Sequence, residues 1–468
     1  MASEAVPEPT VFTLFGATGD LAHRLVLPAL FRLAQAGLLP DDWRLVGTGR
    51  GDVSHEDFQE RVRASLEQFG PKPADGPWDD FRKKLRFAGG GFETTDPGSL
   101  LDVVGEAEQE LGGRPQRVHY LAVPTGAFAK LTEGLGHHGL ADRARIVYEK
   151  PFGTSLDSFR KLDSAAHEVF SEDQVYRIDH FLGKEATQSI HVVRFGNGLF
   201  AGAWDARHIE SVQIDVPETL DVGMRAAFYD STGAILDMLV THLFQLAGEV
   251  AMETPHTLDA AHIARAREEV IGCFRPLGWD DVVVGQYDGY RDLGDVADDS
   301  RTETFVAARL FVDNERWEGV PFLLRTGKCL AESHQRVNIR FKEPGQAPPG
   351  LPRGGNTLSF DLAGDGEIDL SLVTKTPGPD RALGTGSARL PLGRAFDEAP
   401  LPAYARLIHD VLVGDRSLFT RPDGLAHVWE VAGELLSDKP EPTAYPPGSW
   451  GPGEADRLAR PSGWVLGG

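Results

Sequence analysis

Apolar and polar positions along the first third of the chain predict short strands separated by helices. Val11–Phe15 is a compact apolar run, and the apolar residues Leu27, Leu30, Phe31 and Ala34 follow it at the spacing of one helix face. Further short apolar runs predict three more strands: Arg44–Gly47, Val118–Val123 and Ile146–Tyr148. Strands that alternate with helices imply βαβ units around a parallel sheet. We therefore predict an α/β chain in which residues 1–177 form a Rossmann-like dinucleotide-binding domain.

The pattern changes after residue 177, where strand-like runs follow one another with fewer helices between them. These runs are Ile209–Val216, Val282–Val284, Phe305–Asp313, Val337–Lys342, Thr357–Leu362 and Ile368–Thr374. Helical periodicity is clearest in Ala234–Met252 and Ala403–Gly414. Consecutive strands favour antiparallel pairing, so we predict that residues 178–468 form a larger α+β domain with a mostly antiparallel sheet. The family resemblance described below implies that this domain binds substrate and mediates oligomerisation.

Composition narrows the class of protein. The chain has 468 residues, 70 acidic and 47 basic side chains, and a formal net charge of −23. Nucleic-acid binding needs clustered Lys and Arg, so this balance argues against it. We see no signal peptide and no apolar run of transmembrane length. The two cysteines, Cys273 and Cys329, have no metal-ligand or CxxC spacing, so we expect a cytoplasmic enzyme without a disulfide framework and without a metal.

A glycine-rich segment lies between the first strand and the first helix. Gly16 and Gly19 would allow a tight turn and the close approach of a diphosphate to the amides of the helix N-terminus, with Thr18, Asp20 and Leu21 completing the loop. The spacing is GxxG rather than GxGxxG, so an ordinary strand-to-helix turn is the alternative. The segment predicts a dinucleotide phosphate site.

Arg50 follows the second predicted strand. An Arg in this place can pair with the 2′-phosphate of NADP, where NAD enzymes place a carboxylate on the ribose. Asp52 lies two residues further on and keeps NAD possible as a weaker alternative. A solvated surface charge is the competing interpretation of Arg50. NADP is therefore the preferred cofactor.

Charged residues cluster in Tyr176–Glu185. If a helix begins near Leu182, Lys184 falls in its first turn, close to His180. A cation there opposes the helix dipole, and a bound anion would remove that conflict. The alternative is a surface charge cluster beside a loop. The cluster favours an anion site.

His242 lies on the apolar face of the helix predicted over Ala234–Met252. A lone histidine on such a face is more often a hydrogen-bonded core residue than a catalyst. With Asp179 behind it, its neutral imidazole could act as a general base near neutral pH. Glu218 and Asp237 could accept hydrogen bonds from sugar hydroxyls.

The positions of the few lysines also indicate ligand contacts. Only 11 of the 47 basic residues are lysines, by count along the sequence. Three of them, Lys150, Lys184 and Lys328, lie in segments punctuated by glycine or proline. Such placement favours point-charge contacts to a ligand.

Taken together, these motifs resemble the glucose-6-phosphate dehydrogenase family along nearly the whole chain. The GATGDLA loop at Gly16–Ala22 resembles GxxGDLAxRK, and Tyr120–Pro124 resembles YLALPP. Further matches are Glu149–Gly153 to EKPFG, Arg177–Glu185 to RIDHYLGKE, Asp237–Gln245 to DVMQNHLLQ, Thr302–Phe305 to TETF, Asn314–Phe322 to NxRWxGVPF and Leu324–Leu330 to LRxGKxL. These motifs occur along the chain in the same order as in the family, so chance does not explain the resemblance.

The resemblance implies an activity and a role for each motif. His242 would take the proton of the C1 hydroxyl of glucose 6-phosphate while hydride passes to NADP, and Asp179 would orient that histidine. The product would be 6-phospho-D-glucono-1,5-lactone, in the first step of the oxidative pentose phosphate pathway. Substrate contacts would come from Lys150, His180, Lys184, Glu218, Asp237 and Lys328. Cofactor contacts would come from Gly16, Thr18, Gly19, Asp20, Leu21, Arg50 and Lys150.

Partners follow from the same resemblance. We expect a small sugar phosphate as substrate, a homodimer or homotetramer as the assembly, and neither nucleic acid nor membrane as a partner. Pro151 is expected to follow a cis peptide bond, as proline does at rigid turns.

Several positions depart from the family pattern and keep alternatives open. Phe181 replaces the tyrosine of RIDHYLGKE, Ser333 replaces a basic residue, and Ala363 replaces a glutamine; residues 224–230 also lack a glycine pair. A dehydrogenase for another hexose or hexose phosphate is one alternative. A non-catalytic NADP-binding paralogue is the other, although a protein of that kind has no need to keep both Asp179 and His242.

Overall fold

The computed structural model describes residues 7–49, 51, 53–346, 348–352, 354–397, 399–437 and 439–467. The chain divides into two compact units. The first comprises the described parts of Met1–Gly183, His256–Ala264 and Leu401–Pro422; the second comprises Lys184–Pro255, Arg265–Pro400 and Asp423–Gly468. The first unit therefore includes two segments from much later in the sequence. The domain division after residue 177 stays a prediction.

The strands of the first unit are β1 Thr10–Phe15, β2 Trp43–Thr48, β3 Leu85–Ala88, β4 Gln116–Leu121, β5 Ala144–Tyr148, β6 Val175–Ile178 and, later in the chain, β15 Phe419–Thr420. The strands of the second unit are β7 Ile209–Pro217, β8 Val282–Tyr287, β9 Phe305–Leu310, β10 Phe322–Gly327, β11 Arg336–Phe341, β12 Thr357–Asp361, β13 Glu367–Lys375, β14 Leu383–Pro391 and β16 Thr443–Tyr445.

The α-helices are α1 Leu27–Gln35, α2 His55–Phe69, α3 Asp75–Arg82, α4 Leu100–Glu110, α5 Phe128–His137, α6 Leu156–His167, α7 Glu185–Gly196, α8 Gly198–Ala201, α9 Ala226–Ala234, α10 Phe244–Ala251, α11 Ala260–Ile271, α12 Leu392–Ala395, α13 Ala403–Val413, α14 Pro422–Val431 and α15 Gly433–Ser437. Two π-helical segments, Ala22–Val26 and Ile235–Leu243, directly precede α1 and α10. The 3-10 turns are Thr125–Ala127, Glu172–Gln174, Gly223–Arg225, Trp279–Asp281, Tyr290–Asp292, Glu315–Trp317 and Gly453–Arg457.

The sheet of the first unit has the strand order β15-β6-β5-β4-β1-β2-β3. Apart from β15, which is antiparallel to β6, its strands are parallel. This is the doubly wound order in which dinucleotides bind beside the carboxyl ends of the strands, where the order reverses between β1 and β4. The predicted Rossmann-like architecture is confirmed.

The core of the first unit shows why its sequence folds this way. The predicted helix face is inward, since Leu27, Leu30 and Phe31 are buried and Ala34 is partly buried. Helix α13 from the later part of the chain buries Leu407, Ile408 and Val411 in the same cluster, and strand β15 adds Phe419. A core built in this way removes apolar area from water, which is the main driving force of folding.

The sheet of the second unit has the order β14-β13-β12-β11-β7-β10-β9-β8-β16. Two neighbouring pairs, β7 with β10 and β8 with β16, are parallel, and the remaining pairs are antiparallel. The predicted larger α+β domain with a mostly antiparallel sheet is thereby confirmed. The central strand β10 is not among the strands predicted above, because Phe322–Gly327 has only three consecutive apolar residues and no alternation of apolar and polar positions.

Residues Ala226–Ala251 form one helical run through α9, the second π segment and α10. Among the described residues, this run is the one long and apolar enough to cross a membrane, yet 89% of its apolar window is buried inside the protein. Burial of that extent is typical of a core helix. The run begins earlier than the predicted Ala234–Met252 helix, and it is interrupted at Gly233, whose φ of 69° and ψ of 172° are not helical.

Candidate active site

The loop after β1 is shaped by one glycine in a left-handed conformation. Gly16 has a φ of 76°, and a Cβ there would lie 2.3 Å from the carbonyl oxygen of Ala122, so only glycine fits. The amides of Gly16 and Ala17 donate to the Thr48 carbonyl at 2.9 and 3.1 Å. These bonds attach the loop to the end of β2. The loop is therefore a fixed turn at the carboxyl edge of the parallel sheet.

The same loop leads directly into a helix N-terminus. The Gly19 amide donates to the Gly16 carbonyl at 2.9 Å, and the helix continues from Asp20 through Leu21 into the first π segment. The side chains of Thr18 and Asp20 are exposed, and no side chain caps the π segment at Leu21. Unpaired amides at a helix N-terminus favour anions. The loop thus fits the diphosphate of a dinucleotide. Arg50 and Asp52 lie outside the described residues.

A buried carboxylate adjoins Lys150 at the end of β5. Glu149 is 5% exposed, and its carboxylate accepts hydrogen bonds from the hydroxyls of Tyr120 at 2.5 Å and Tyr404 at 3.4 Å. Burial raises the pKa of Glu149, while the Tyr120 hydrogen bond and the Lys150 charge oppose the rise. The Lys150–Pro151 peptide is cis, which confirms that expectation. Lys150 therefore lies just after the end of β5, between the buried Glu149 and Pro151.

Asp179 and His180 follow β6 directly. Asp179 is 2% exposed, and its Oδ1 accepts a hydrogen bond from the Phe181 amide at 2.9 Å. The His180 ring lies 4.8 Å from the ring of Phe181 and 6.2 Å from that of Tyr404, measured between centroids. The carboxyl ends of parallel strands meet at one edge, so the Gly16 loop, Lys150 and the Asp179–His180 pair all lie along the same edge of the first unit's sheet.

Lys184 occupies the position just before α7. The helix begins at Glu185 rather than near Leu182, so the expectation that Lys184 falls within the first turn is wrong: it is the N-cap residue, with an extended backbone. Its Nζ donates to the Leu362 carbonyl at 3.0 Å. A cation at a helix N-terminus is still electrostatically unfavourable without an anion. The charge argument for an anion site is therefore unchanged.

The second π segment carries Asp237 and His242. His242 is fully buried, whereas Asp237 is partly exposed. Five residues turn an α-helix by about 140°, which would separate these two side chains widely. The i→i+5 bonding of a π-helix brings residues five apart onto the same face, and such segments are frequent at functional sites. The sequence pattern did not indicate this local geometry.

Glu218 and Lys328 meet because of one strand pair. Strands β7 and β10 are parallel with Pro217 opposite Gly327, so the residues that follow them lie side by side. The carboxylate of Glu218 and the Nζ of Lys328 are 2.5 Å apart. Their parallel register inside a mostly antiparallel sheet thus creates a compact, paired polar site.

Tyr229 connects these groups and was not among the residues singled out from the sequence. The Lys328 Nζ lies 5.7 Å from the centre of its ring. Burial and then the carboxylates of Asp237, Glu303 and Glu218 raise its pKa well above the usual range. In the second unit, Asp237, Glu218 and Lys328 are therefore electrostatic neighbours around one buried phenol. The sequence signal for Tyr229 is a phenol at the end of Ala226–Tyr229, a run whose other residues are apolar.

The three residues that depart from the family pattern, Phe181, Ser333 and Ala363, make local packing or hydrogen-bond contacts. Phe181 is 2% exposed and packs as a core residue. The Ser333 hydroxyl accepts from the Thr219 amide at 2.9 Å and lies 3.0 Å from the Thr219 hydroxyl. The Ala363 amide donates to Asp361 at 3.0 Å. Ser333 therefore orders the segment that follows Glu218, although it brings no positive charge.

Comparison with known proteins accounts for almost the whole chain. Residues 13–189 match the family description "Glucose-6-phosphate dehydrogenase, NAD binding domain", and residues 191–465 match "Glucose-6-phosphate dehydrogenase, C-terminal domain". The chain belongs to the glucose-6-phosphate dehydrogenase family.

Similar proteins in this family come from distant organisms. Glucose-6-phosphate 1-dehydrogenase of Bacillus subtilis is 36% identical, covering 96% of this chain and 96% of that protein. A cytoplasmic isoform of Arabidopsis thaliana is also 36% identical, covering 98% and 93%. A solved glucose-6-phosphate dehydrogenase in complex with glucose 6-phosphate is 32% identical, with a TM-score of 0.91 and full coverage of both chains. The resemblance drawn from the motifs is confirmed.

Proposed function

We propose that this protein is an NADP-dependent dehydrogenase that oxidises D-glucose 6-phosphate at C1 to 6-phospho-D-glucono-1,5-lactone. The observation that carries the proposal is the full-length match to a family member solved with that substrate bound. The motif residues at the sheet edges and on the second π segment support it. This reaction is the first step of the oxidative pentose phosphate pathway.

His242 is proposed as the general base. It takes the proton of the C1 hydroxyl while the hydrogen on C1 leaves as hydride, so that C1 becomes the lactone carbonyl. The bound nicotinamide ring supplies the two-electron acceptor. The position of His242 on the second π segment, which also carries the proposed sugar contact Asp237, supports this role.

Asp179 is proposed as the carboxylate that orients His242 and stabilises its imidazolium. A buried carboxylate stabilises positive charge more strongly than an exposed one, because water screens it less. Asp179 is 2% exposed, and its Oδ1 is held by the Phe181 amide. This fixed position supports an orienting role rather than one in proton transfer.

The remaining site residues are proposed as substrate contacts. His180 and Lys184 hold the 6-phosphate, and Lys150 contacts both substrate and cofactor. Glu218, Asp237 and Lys328 contact the sugar hydroxyls. The 2.5 Å pair between Glu218 and Lys328 supports this assignment, since it presents an acceptor and a donor together.

NADP is the proposed cofactor, with its diphosphate over Gly16, Thr18, Gly19, Asp20 and Leu21. The left-handed Gly16 and the helix that begins at Asp20 directly after the loop support this placement. Arg50 is proposed to pair with the 2′-phosphate, and NAD is the weaker alternative.

A homodimer or homotetramer is proposed for the assembly, through the outer strands of the second unit's sheet. Among the described residues, β13 and β14 expose the apolar side chains Leu372, Val373, Leu383 and Leu390 by 39–43%. A row of exposed apolar residues on a sheet is typical of an interaction surface.

A cytoplasmic location is proposed because several similar proteins are named cytoplasmic.

Steady-state rates with a panel of sugars test the proposed reaction. The panel contains glucose 6-phosphate, glucose, glucosamine 6-phosphate, 2-deoxyglucose 6-phosphate and galactose 6-phosphate, each with NADP. We expect the highest kcat/KM for glucose 6-phosphate. A higher value for another sugar would overturn the substrate, and NADP binding without turnover of any sugar would point to the non-catalytic paralogue.

A further inference from the structure

Glu303 holds the start of the second π segment. Its side chain is 1% exposed, and Oε1 accepts a hydrogen bond from the Ile235 amide at 3.0 Å. Its backbone carbonyl accepts from the Ala234 amide at 2.9 Å. One residue thus satisfies two successive amides where the helix restarts after the kink. Amides at a helix start have no partners within the helix, so outside acceptors determine how the first turn is held.

Gly233 makes this approach possible. Its φ of 69° is in the left-handed region, and a Cβ on it would lie 2.4 Å from Glu303 Oε1. Any other residue would be strained and would also displace the carboxylate. The kink and the carboxylate are therefore parts of one arrangement.

Lys439 completes the arrangement from the C-terminal part of the second unit. Its Nζ lies 2.9 and 3.2 Å from the two carboxylate oxygens of Glu303. A buried carboxylate is costly unless it is paired and hydrogen-bonded, and here it is both. Lys439 therefore keeps the Glu303 carboxylate oriented toward the helix start.

The residues just before Glu303 fasten the other side of the kink. The Thr302 hydroxyl donates to the Asp230 carbonyl at 2.6 Å, and the Ser300 hydroxyl donates to the Asp230 carboxylate. Tyr290 donates to the same carboxylate at 3.0 Å. The segment 300–304 thus contacts the chain on both sides of Gly233.

We propose that Glu303 and Lys439 are positioning residues that fix the register of the second π segment and thereby hold Asp237 and His242. A change of one residue in helical register rotates each following side chain by about 100°. Ile235 is only two residues before Asp237 and seven before His242, so the anchoring of its amide determines where both side chains point. The inference rests on the proposed function for the roles of those two residues, but the anchoring itself does not.

The experiment compares Glu303→Ala with the conservative Glu303→Gln. We expect Glu303→Ala to lower kcat with glucose 6-phosphate at least tenfold, with NADP affinity within twofold of wild type. Hydrogen exchange of the amides in 234–240 should accelerate at least tenfold. Glu303→Gln keeps an acceptor for the Ile235 amide and loses only the ionic pairing, so it should recover most of the exchange protection and part of kcat.

Glu249→Gln is the matched control. Glu249 is also a buried carboxylate on the same helical run, paired with His191 at 2.5 Å and Arg267 at 3.3 Å, but it lies beyond the π segment. We expect it to lower thermal stability while leaving the exchange of 234–240 unchanged. The proposal is overturned if Glu303→Ala and Glu249→Gln have the same kcat and the same exchange at equal loss of stability.

The variant Lys439→Met and the hydrogen-exchange measurement separate a failure of the positioning role from a failure of the proposed function. If Glu303→Ala does not fold, Lys439→Met decides, with an expected three- to tenfold loss of kcat and faster exchange at 234–240; unchanged values for both overturn the positioning role. If wild-type protein oxidises no hexose phosphate, the proposed function fails, and hydrogen exchange alone then decides whether Glu303 anchors the segment.

Discussion

The two π-helical segments begin in opposite ways. The helix that contains Ala22–Val26 begins at Asp20, directly after the glycine loop, and no side chain caps the π segment at Leu21. Ile235–Leu243 follows a kink, and its first amide is occupied by the buried Glu303. Seven of the nine residues in the second segment are buried, including His242. The same type of helix distortion therefore has an open start in one unit and a closed start in the other.

This difference indicates whether the backbone amides or the side chains of each segment are available to a ligand. An open start leaves backbone amides available to a ligand, which suits recognition of a diphosphate. A closed start uses those amides internally, so the side chains further along the helix are what the segment presents. The first unit is thus expected to tolerate side-chain changes in its loop better than backbone changes. The second unit is expected to be sensitive both to changes in these side chains and to changes at the kink that holds them.

Replacing the proposed base should have the largest effect. His242→Ala removes the proton acceptor, so kcat should fall by about 10² to 10⁴, the usual contribution of general base catalysis. KM for glucose 6-phosphate should change by only a few fold. Steady-state kinetics with a thermal unfolding control measures both. A kcat close to wild type would show that the second segment does not act through this side chain.

Changing the backbone of the open loop should have the next largest effect. Gly16→Ala places a Cβ 2.3 Å from the Ala122 carbonyl, so the loop must move and NADP affinity should fall at least tenfold by titration. Gly37→Ala is the control, because Gly37 has a similar φ of 67° but no heavy atom within 4 Å of its added Cβ. That control should lose about 1–2 kcal/mol of stability from left-handed strain and keep NADP affinity. Equal affinity loss in both variants would contradict the backbone mechanism.

Lys184→Ala tests the N-cap residue of a third helix, α7, whose side chain makes no cap hydrogen bond. Removing a charged hydrogen-bond donor costs about 1.5–3 kcal/mol, so KM for glucose 6-phosphate should rise about 10- to 100-fold. NADP affinity should stay within twofold. Because Lys184 also donates to the Leu362 carbonyl, thermal unfolding of the same variant separates a stability loss from an affinity loss. An unchanged KM would remove Lys184 from the phosphate site.

Arg50 provides the smallest and most selective test in the first unit. Arg50→Ala should weaken NADP binding about tenfold while leaving NAD binding nearly unchanged, since only NADP has the 2′-phosphate. Arg50→Lys should retain part of the preference, because it keeps the charge and loses the planar fork. Equal losses for both cofactors would refute the 2′-phosphate contact. Such a result would leave the loop backbone as the main source of cofactor affinity.

The fold of the first unit could be predicted well because its signals are local. The strand at Val11–Phe15 appears at Thr10–Phe15, and the one at Ile146–Tyr148 appears at Ala144–Tyr148. Each contains a short run of apolar residues. Strand β10 was missed, since a buried central strand lacks the alternation that marks a half-exposed one. Its parallel pairing with β7, which brings Glu218 to Lys328, is a long-range property with no local signal.

The motifs named candidate site residues, whose roles stay a prediction, but they did not indicate the geometry that arranges these residues. Motifs indicated His242 and Asp237, whereas the π geometry that aligns them depends on hydrogen bonds shifted by one residue. That shift is held by Glu303 and Lys439, which lie more than sixty residues away in sequence. Periodicity analysis assumes regular helices, so it cannot reveal a distortion that tertiary contacts impose.

The late segments of the first unit have a consequence for synthesis on the ribosome. Helix α13 and strand β15 belong to the first unit, and its last segment ends at Pro422, 239 residues after Gly183 (422 − 183). At roughly 5–20 residues per second, that interval lasts about 12–48 s. Throughout it, the apolar positions that pack against Leu407 and Phe419 have no native cover. The nascent chain therefore carries an unfinished nucleotide-binding unit for most of its elongation, which makes holding chaperones relevant to its yield.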